Sequence, residues 1–278
     1  MSNRFLPAVL ITGCATGVGH ATALAFTSAG YPTYASGRNL EELKDLEVAG
    51  CHILELDVTN EASRVHAVKT IEAQHGTVGI LVNNAGYGQM GPLEQITSEQ
   101  IQRQFETNVF GVLRLCQLVL PGMRSHHSGT IVNVGSAGGL MTTPFMGAYH
   151  MTKYAIESLS DALRREVSNF GIRVVLIEPA SIRSNFGKTT LASVDTASIV
   201  GPYELVQKKV LEITDRAYKN PRLIKPETVA QIIVYAASAK HPKIRYKVGL
   251  EAQIMPRMFH ILGDRMTDRI WQNILSSK

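Results

Sequence analysis

The chain has 278 residues, 45% of them hydrophobic and 18% charged, enough apolar material to bury one large core, so a single domain over 1–278 is expected. The formal net charge of +5 is not concentrated into a nucleic-acid site: the densest basic run, residues 240–247, lacks a flanking basic amphipathic helix or aromatic platform. No apolar run reaches the roughly 18 residues of a membrane span, because the most apolar stretch, residues 109–123, is interrupted by Arg114 and Gln117.

In chain order, the run after Met1-Ser2-Asn3-Arg4 becomes a strand near 8–12 and does not have the form of an export signal, so a cytoplasmic protein is expected. The strand opens into Thr12-Gly13-Cys14-Ala15-Thr16-Gly17-Val18-Gly19 and then a helix near 18–29. Strand, glycine loop and helix in this order let backbone N–H groups face a phosphate, although glycine also serves turns for steric reasons alone. A strand near 32–36 ends in Gly37-Arg38-Asn39, followed by a helix near 39–47, a strand near 52–56 and a helix near 61–75. The strand near 79–83 ends in Asn83-Asn84-Ala85-Gly86, at the carboxyl edge where open α/β sheets bind ligands. A long helix near 98–124 carries Asn108, which read alone fits a satisfied core amide as well as a functional one. A strand near 130–135 leads to Ser136, then come a helix near 149–169 and a strand near 172–177. Residues 180–222 break the alternation, contain an amphipathic helix near 203–218, and read as a lid over a site. A helix near 226–239 and a strand near 245–248 follow. Strict alternation predicts an α/β, Rossmann-type doubly wound parallel sheet with helices on both faces.

Tyr149 and Lys153 stand four residues apart on the helix near 149–169, so phenol and ammonium can share one face. A nearby cation lowers a phenol's pKa, which is about 10 when unperturbed. Ser136, arriving from a neighbouring strand end, can hydrogen-bond the same substrate oxygen that Tyr149 protonates. A Tyr and Lys at this spacing also occur where a ring merely packs under a solvated ammonium.

Taken together, TGCATGVG, NNAG, Asn108, Ser136 and YHMTK, spanning residues 12–153, resemble the short-chain dehydrogenase/reductase family in order and spacing. Ile177 to Ser184 is similar to that family's loop beside the nicotinamide, with Ala180 in place of the usual Gly and Ser184 in place of the usual Thr. The strings GRNLEEL, NNAGYGQMGPLE and NVFGVLRLCQLVLPGM resemble the hydroxysteroid and retinol dehydrogenase branch. The resemblance implies hydride transfer between a nicotinamide and a carbonyl or alcohol, with Tyr149 as general acid/base, Ser136 positioning the oxygen, and Lys153 serving phenol and ribose. It implies that Asn108 holds a water linking Lys153 to solvent. Cofactor contacts would come from Gly13, Thr16, Gly17, Val18, Gly19, Arg38, Asp57, Val58, Asn83, Ala85, Gly86, Tyr149, Lys153, Pro179, Ile182 and Ser184. No carboxylate follows the second strand, and Gly37 with Arg38 suits a 2′-phosphate, which points to NADP(H). Helices near 98–124 and 149–169 would pair with a partner subunit in a homodimer or homotetramer.

The other chemistry-bearing residues are quieter. Cys14, Cys51 and Cys116 are scattered and read as free thiols, Cys14 as a space-filler in the glycine loop. The nine histidines have no metal-ligand spacing, and His150, next to Tyr149, is expected on a different side of its helix as a structural residue. Tyr87, Met90, Leu140, Met141, Phe145, Met146, Phe186, Met255, Met258 and Phe259 would line a roomy apolar pocket for a bulky ketone, aldehyde or secondary alcohol. An NAD-linked alcohol oxidant and a non-catalytic dinucleotide-binding regulator are the alternatives, the second disfavoured by an intact Asn, Ser, Tyr and Lys set.

Overall fold

The computed structural model describes residues 6–194 and 201–276, so the leading residues 1–5 and part of the expected lid, residues 195–200, lie outside it. In chain order the elements are β1 (Val9–Ile11), α1 (Gly17–Ser28), β2 (Thr33–Gly37), α2 (Lys44–Val48), β3 (His52–Glu55), α3 (Glu61–His75) and β4 (Ile80–Asn83). The second half runs α4 (Ser98–Phe105), α5 (Gly111–Ser125), β5 (Gly129–Val134), α6 (Gly147–Val167), β6 (Ile172–Pro179), α7 (Phe186–Ala192), α8 (Glu204–Tyr218), α9 (Pro226–Ser238), β7 (Arg245–Val248) and α10 (Leu250–Ser276).

All neighbouring strands are parallel, in the order β3-β2-β1-β4-β5-β6-β7. The strand order reverses between β1 and β4, and this is where the carboxyl ends of an open parallel sheet leave a crevice. Helices cover both faces of the sheet, so the strands are apolar on both. Val9, Ile11, Ile80, Val82 and Ile177 pack with α1 and α9 through Phe26, Val229 and Ile233. Leu10, Leu81, Ile131 and Leu176 pack on the opposite face with α3, α5 and α6 through Ile71, Leu115 and Ile156. Burying each such side chain contributes roughly 1.5–3 kcal/mol.

The expected single helix near 98–124 is interrupted by a π-helical turn, Glu106–Phe110. That extra residue in the turn rotates the following helix and carries Asn108 to the inside. The expected helix near 39–47 is a 3₁₀ turn, Leu40–Leu43, continued by α2. Two helices were not anticipated. One is the short α7, and the other is α10, whose pattern is obscured by Pro256 and by a kink at Gly263, φ 70°.

Candidate active site

The cleft at the switch point has a volume of about 770 Å3 and is lined from the glycine loop across to α6, α8 and the start of α10. Its floor is tied together by the Thr12 hydroxyl, which accepts from the backbone N–H groups of Asn84 and Ala85, both at 3.0 Å. Asn84 returns the contact, donating to the carbonyls of Thr12 at 2.9 Å and Gly13 at 3.1 Å.

The glycine loop needs its glycines. Gly13 has φ +72°, and a Cβ there would come within 2.9 Å of the Ala85 Cα; at Gly19 a Cβ would strike the Gly13 carbonyl. Thr16 stands at the N-cap of α1 without a side-chain capping bond, and the first turn carries no acidic residue. The initial N–H groups of a twelve-residue helix therefore face the cleft uncompensated, an arrangement that suits an anion such as a pyrophosphate. Gly37 and Arg38 line the far end, and Arg38 makes no ion pair among the described residues. Asp57 and Val58 line the same end, the Asp57 carboxylate accepting from the Thr59 N–H at 2.9 Å and hydroxyl at 2.8 Å. These features fit a dinucleotide.

On the other wall, α6 presents Tyr149 and Lys153 one turn apart, both buried and both lining the cleft. The Lys153 Nζ donates to the Val134 carbonyl at 2.8 Å and stands 5.7 Å from the Tyr149 ring centroid. Ser136 follows β5, its Oγ accepting from the Gly138 N–H at 3.0 Å. Burial pushes the Tyr149 phenol above its ordinary value; the adjacent Ser136 hydroxyl opposes the shift, and the Tyr218 phenol reinforces it. Burial pulls the Lys153 ammonium down to about 8, against the Glu157 carboxylate one turn further on, which favours its charged form. The expected lowering of the phenol's pKa by Lys153 is not seen: desolvation dominates, and the opposing contribution comes from Ser136.

Gly13, Thr16, Gly17, Val18, Arg38, Asp57, Val58, Ala85, Gly86, Ser136, Tyr149, Lys153, Pro179, Ile182 and Ser184 all line the cleft. Gly19 instead supports the loop from behind, in close approach to Gly13. One expectation is corrected. Asn83 does not face the cleft: its side chain turns into the sheet, where Nδ2 donates to Asn133 Oδ1 at 2.9 Å. Successive strand residues alternate sides, so Asn84 takes the place given to Asn83. Asn108 is also buried; its Nδ2 donates to the Tyr87 carbonyl at 2.9 Å and Thr152 Oγ1 at 3.1 Å, while Oδ1 accepts from the Tyr87 N–H at 3.1 Å. Its side chain brackets the post-β4 loop to α6.

Of the expected pocket residues, Tyr87, Met141, Met146, Phe186 and Met255 line the cleft. Met90 belongs to a small core with Val194 and Val210, against which Phe145 packs, and Met258 faces a separate shallow hollow on α10. Sequence reasoning missed the α8 contribution of Ile213, Ala217 and Tyr218, and it misplaced His150, which lines the cleft. Cys14 is buried as a filler, its thiol pushed up to about 12 by desolvation.

The family pattern described as short chain dehydrogenase matches residues 7–194. A 3-ketodihydrosphingosine reductase of Bacteroides thetaiotaomicron is 34% identical over 253 residues, covering 89% of each chain. An NADPH-dependent 3-dehydrocapnine reductase of Ornithobacterium rhinotracheale is 31% identical over 275 residues, covering 94% of this chain and 95% of its own. A solved short-chain dehydrogenase from Streptomyces avermitilis superimposes with a TM-score of 0.81 at 30% identity, covering 99% of this chain and 98% of that one.

Proposed function

Because the chain belongs to the short-chain dehydrogenase family, we propose that it is an NADP(H)-dependent carbonyl reductase for a bulky apolar ketone or aldehyde, working in reverse on the matching alcohol. The observation that carries this reading is Tyr149: a buried phenol that keeps its proton at neutral pH, beside the Ser136 hydroxyl, in the wall of the cleft opposite the uncapped start of α1. A phenol in that state is a proton donor, as reduction of a carbonyl requires.

Reduced NADP(H), when bound, would supply the hydride. The residues 16–19 would hold its pyrophosphate with backbone N–H groups, Gly37 and Arg38 its 2′-phosphate, and Asp57, Val58, Ala85 and Gly86 the adenosine side. Lys153 would hold the nicotinamide ribose, and Pro179, Ile182 and Ser184 the nicotinamide side. Ser136 would fix the substrate oxygen while Tyr149 delivers its proton. Met141, Met146, Phe186, Ile213 and Met255 give the substrate end its apolar walls, with α7 and α8 of the 180–222 insertion as its lid. The names of two relatives, reductases of 3-ketodihydrosphingosine and 3-dehydrocapnine, support reduction of a carbonyl, and the second supports NADPH.

Lys153 makes the reading testable by pH. Its ammonium, the form that pairs with the ribose and supports the phenol, is lost as pH rises through about 8. The reduction rate should therefore be flat on the acid side of that value and fall above it. In Lys153→Ala the fall should disappear, with rate and cofactor affinity both reduced; a limb that survives unchanged in this variant would assign it to another group.

We also propose a homodimer or homotetramer built on α5 and α6, whose surfaces leave Leu113, Met151 and Tyr154 exposed, with Phe110 of the π-helical turn beside them. Light scattering at micromolar concentration should give at least twice the chain mass; a monomer there removes this part of the reading. The three free, buried thiols suit the reducing cytoplasm we propose as its setting. Among the described residues, no helix is long and apolar enough to cross a membrane.

A further inference from the structure

One polar side chain in the cleft has no part in hydride transfer: His150, the residue after Tyr149, only 6% exposed. The Thr143 backbone N–H donates to its Nδ1 at 3.2 Å, so the lone pair of that nitrogen is occupied. Burial lowers the imidazolium pKa to about 4, so the ring is neutral at physiological pH. A neutral ring whose Nδ1 accepts must carry its proton on Nε2, which makes Nε2–H a donor.

The position of this donor is fixed from below. The Cδ2–Nε2 edge rests on Gly138, where a Cβ would come within 2.6 Å of Cδ2 and 2.9 Å of Nε2. The same Cβ would lie 3.4 Å from Ser136 Oγ. The Ser136 hydroxyl and the imidazole N–H thus flank one glycine, and a single small fragment of substrate can reach both. Among the described residues nothing accepts from Nε2.

We propose that His150 forms a second polar subsite beside the carbonyl-binding pair, donating from Nε2–H to an oxygen that the substrate carries one or two carbons from its reacting carbonyl. This deepens the carbonyl-reductase reading and rests on it. The substrate class it names is a bulky apolar ketone with an oxygen acceptor at a neighbouring carbon. A neutral N–H donor gains nothing from an ammonium group, so an amine alone at that place is not recognised.

The test uses two ketones of equal chain length, a plain long-chain 3-ketone and its 1-hydroxy-3-ketone, with the full chain and NADPH. The hydroxylated ketone should have the higher kcat/KM, by about 10-fold for one hydrogen bond in a dry site. His150→Phe should collapse that ratio toward one, and His150→Gln, which keeps an N–H donor, should restore part of it. Gly138→Ala, which displaces the ring edge, should also lower the ratio. A wild-type ratio of one, or a ratio that His150→Phe leaves unchanged, overturns the inference while leaving carbonyl reduction intact. If neither ketone is turned over, the reductase reading fails. Calorimetric binding of the corresponding 1,3-diol and 3-alcohol to wild type and His150→Phe then decides the subsite by the same ratio.

Discussion

Replacing Tyr149 with Phe should reduce turnover at least ~100-fold, the loss expected when a general acid is removed, while leaving the fold and cofactor affinity close to wild type. The ring is the part of Tyr149 that packs: its centroid lies 5.3 Å from that of Phe186, a contact Phe preserves. Only the hydroxyl beside Ser136 disappears. Because burial keeps that hydroxyl protonated, its removal takes away the proton donor at the carbonyl oxygen. Steady-state rates with a long-chain ketone, together with NADPH binding followed by fluorescence, separate the two effects. Turnover retained within a few-fold would take Tyr149 out of the mechanism. Lost NADPH binding would make it a packing residue.

Exchanging Gly37 for Asp and Arg38 for Leu should shift the cofactor preference toward NAD(H). Arg38 is exposed at the rim of the cleft with no ion-pair partner among the described residues, so its guanidinium is free to meet a 2′-phosphate bidentately. Gly37 packs on Leu43, and a Cβ there would sit in ordinary contact at 3.5 Å. Hydrogen bonds to charged groups contribute roughly 1.5–3 kcal/mol, about 10- to 150-fold in preference for NADPH. The double variant should lose most of that factor, mainly through weaker NADPH binding, and the new carboxylate should repel the phosphate besides. Wild-type protein that uses NADH as well as NADPH would show that Arg38 does not reach the phosphate.

The strand positions and the sheet's parallel character were legible because buried parallel strands leave short, continuous apolar runs such as residues 8–11 and 79–82, punctuated by glycine loops. Tyr149 and Lys153 were legible because helix spacing alone puts them on one face. What stayed hidden depended on the third dimension. Asn83 and Asn84 are identical in chemistry, and only the last pleat of β4 decides which one faces the sheet. The π-helical turn that carries Asn108 inward has no distinct residue signature. His150 follows Tyr149 by about 100° around a helix, which reads as a different side; the segment 137–146 folds over the start of α6 and encloses both. The balance of forces on the phenol was equally invisible, since the number of neighbours that desolvate Tyr149, Phe186 and Tyr218 among them, is fixed only by folding.

Hydride transfer to a carbonyl is tested most simply by following NADPH absorbance as a panel of ketones and aldehydes is added, with long-chain 3-ketones beside short polar acids and sugars. The structure predicts ketone-dependent loss of NADPH, faster for the long apolar members than for the polar ones, and an alcohol product in equal amount. Consumption of neither NADPH nor NADH across the whole panel, or efficient turnover confined to sugars and short acids, would contradict it.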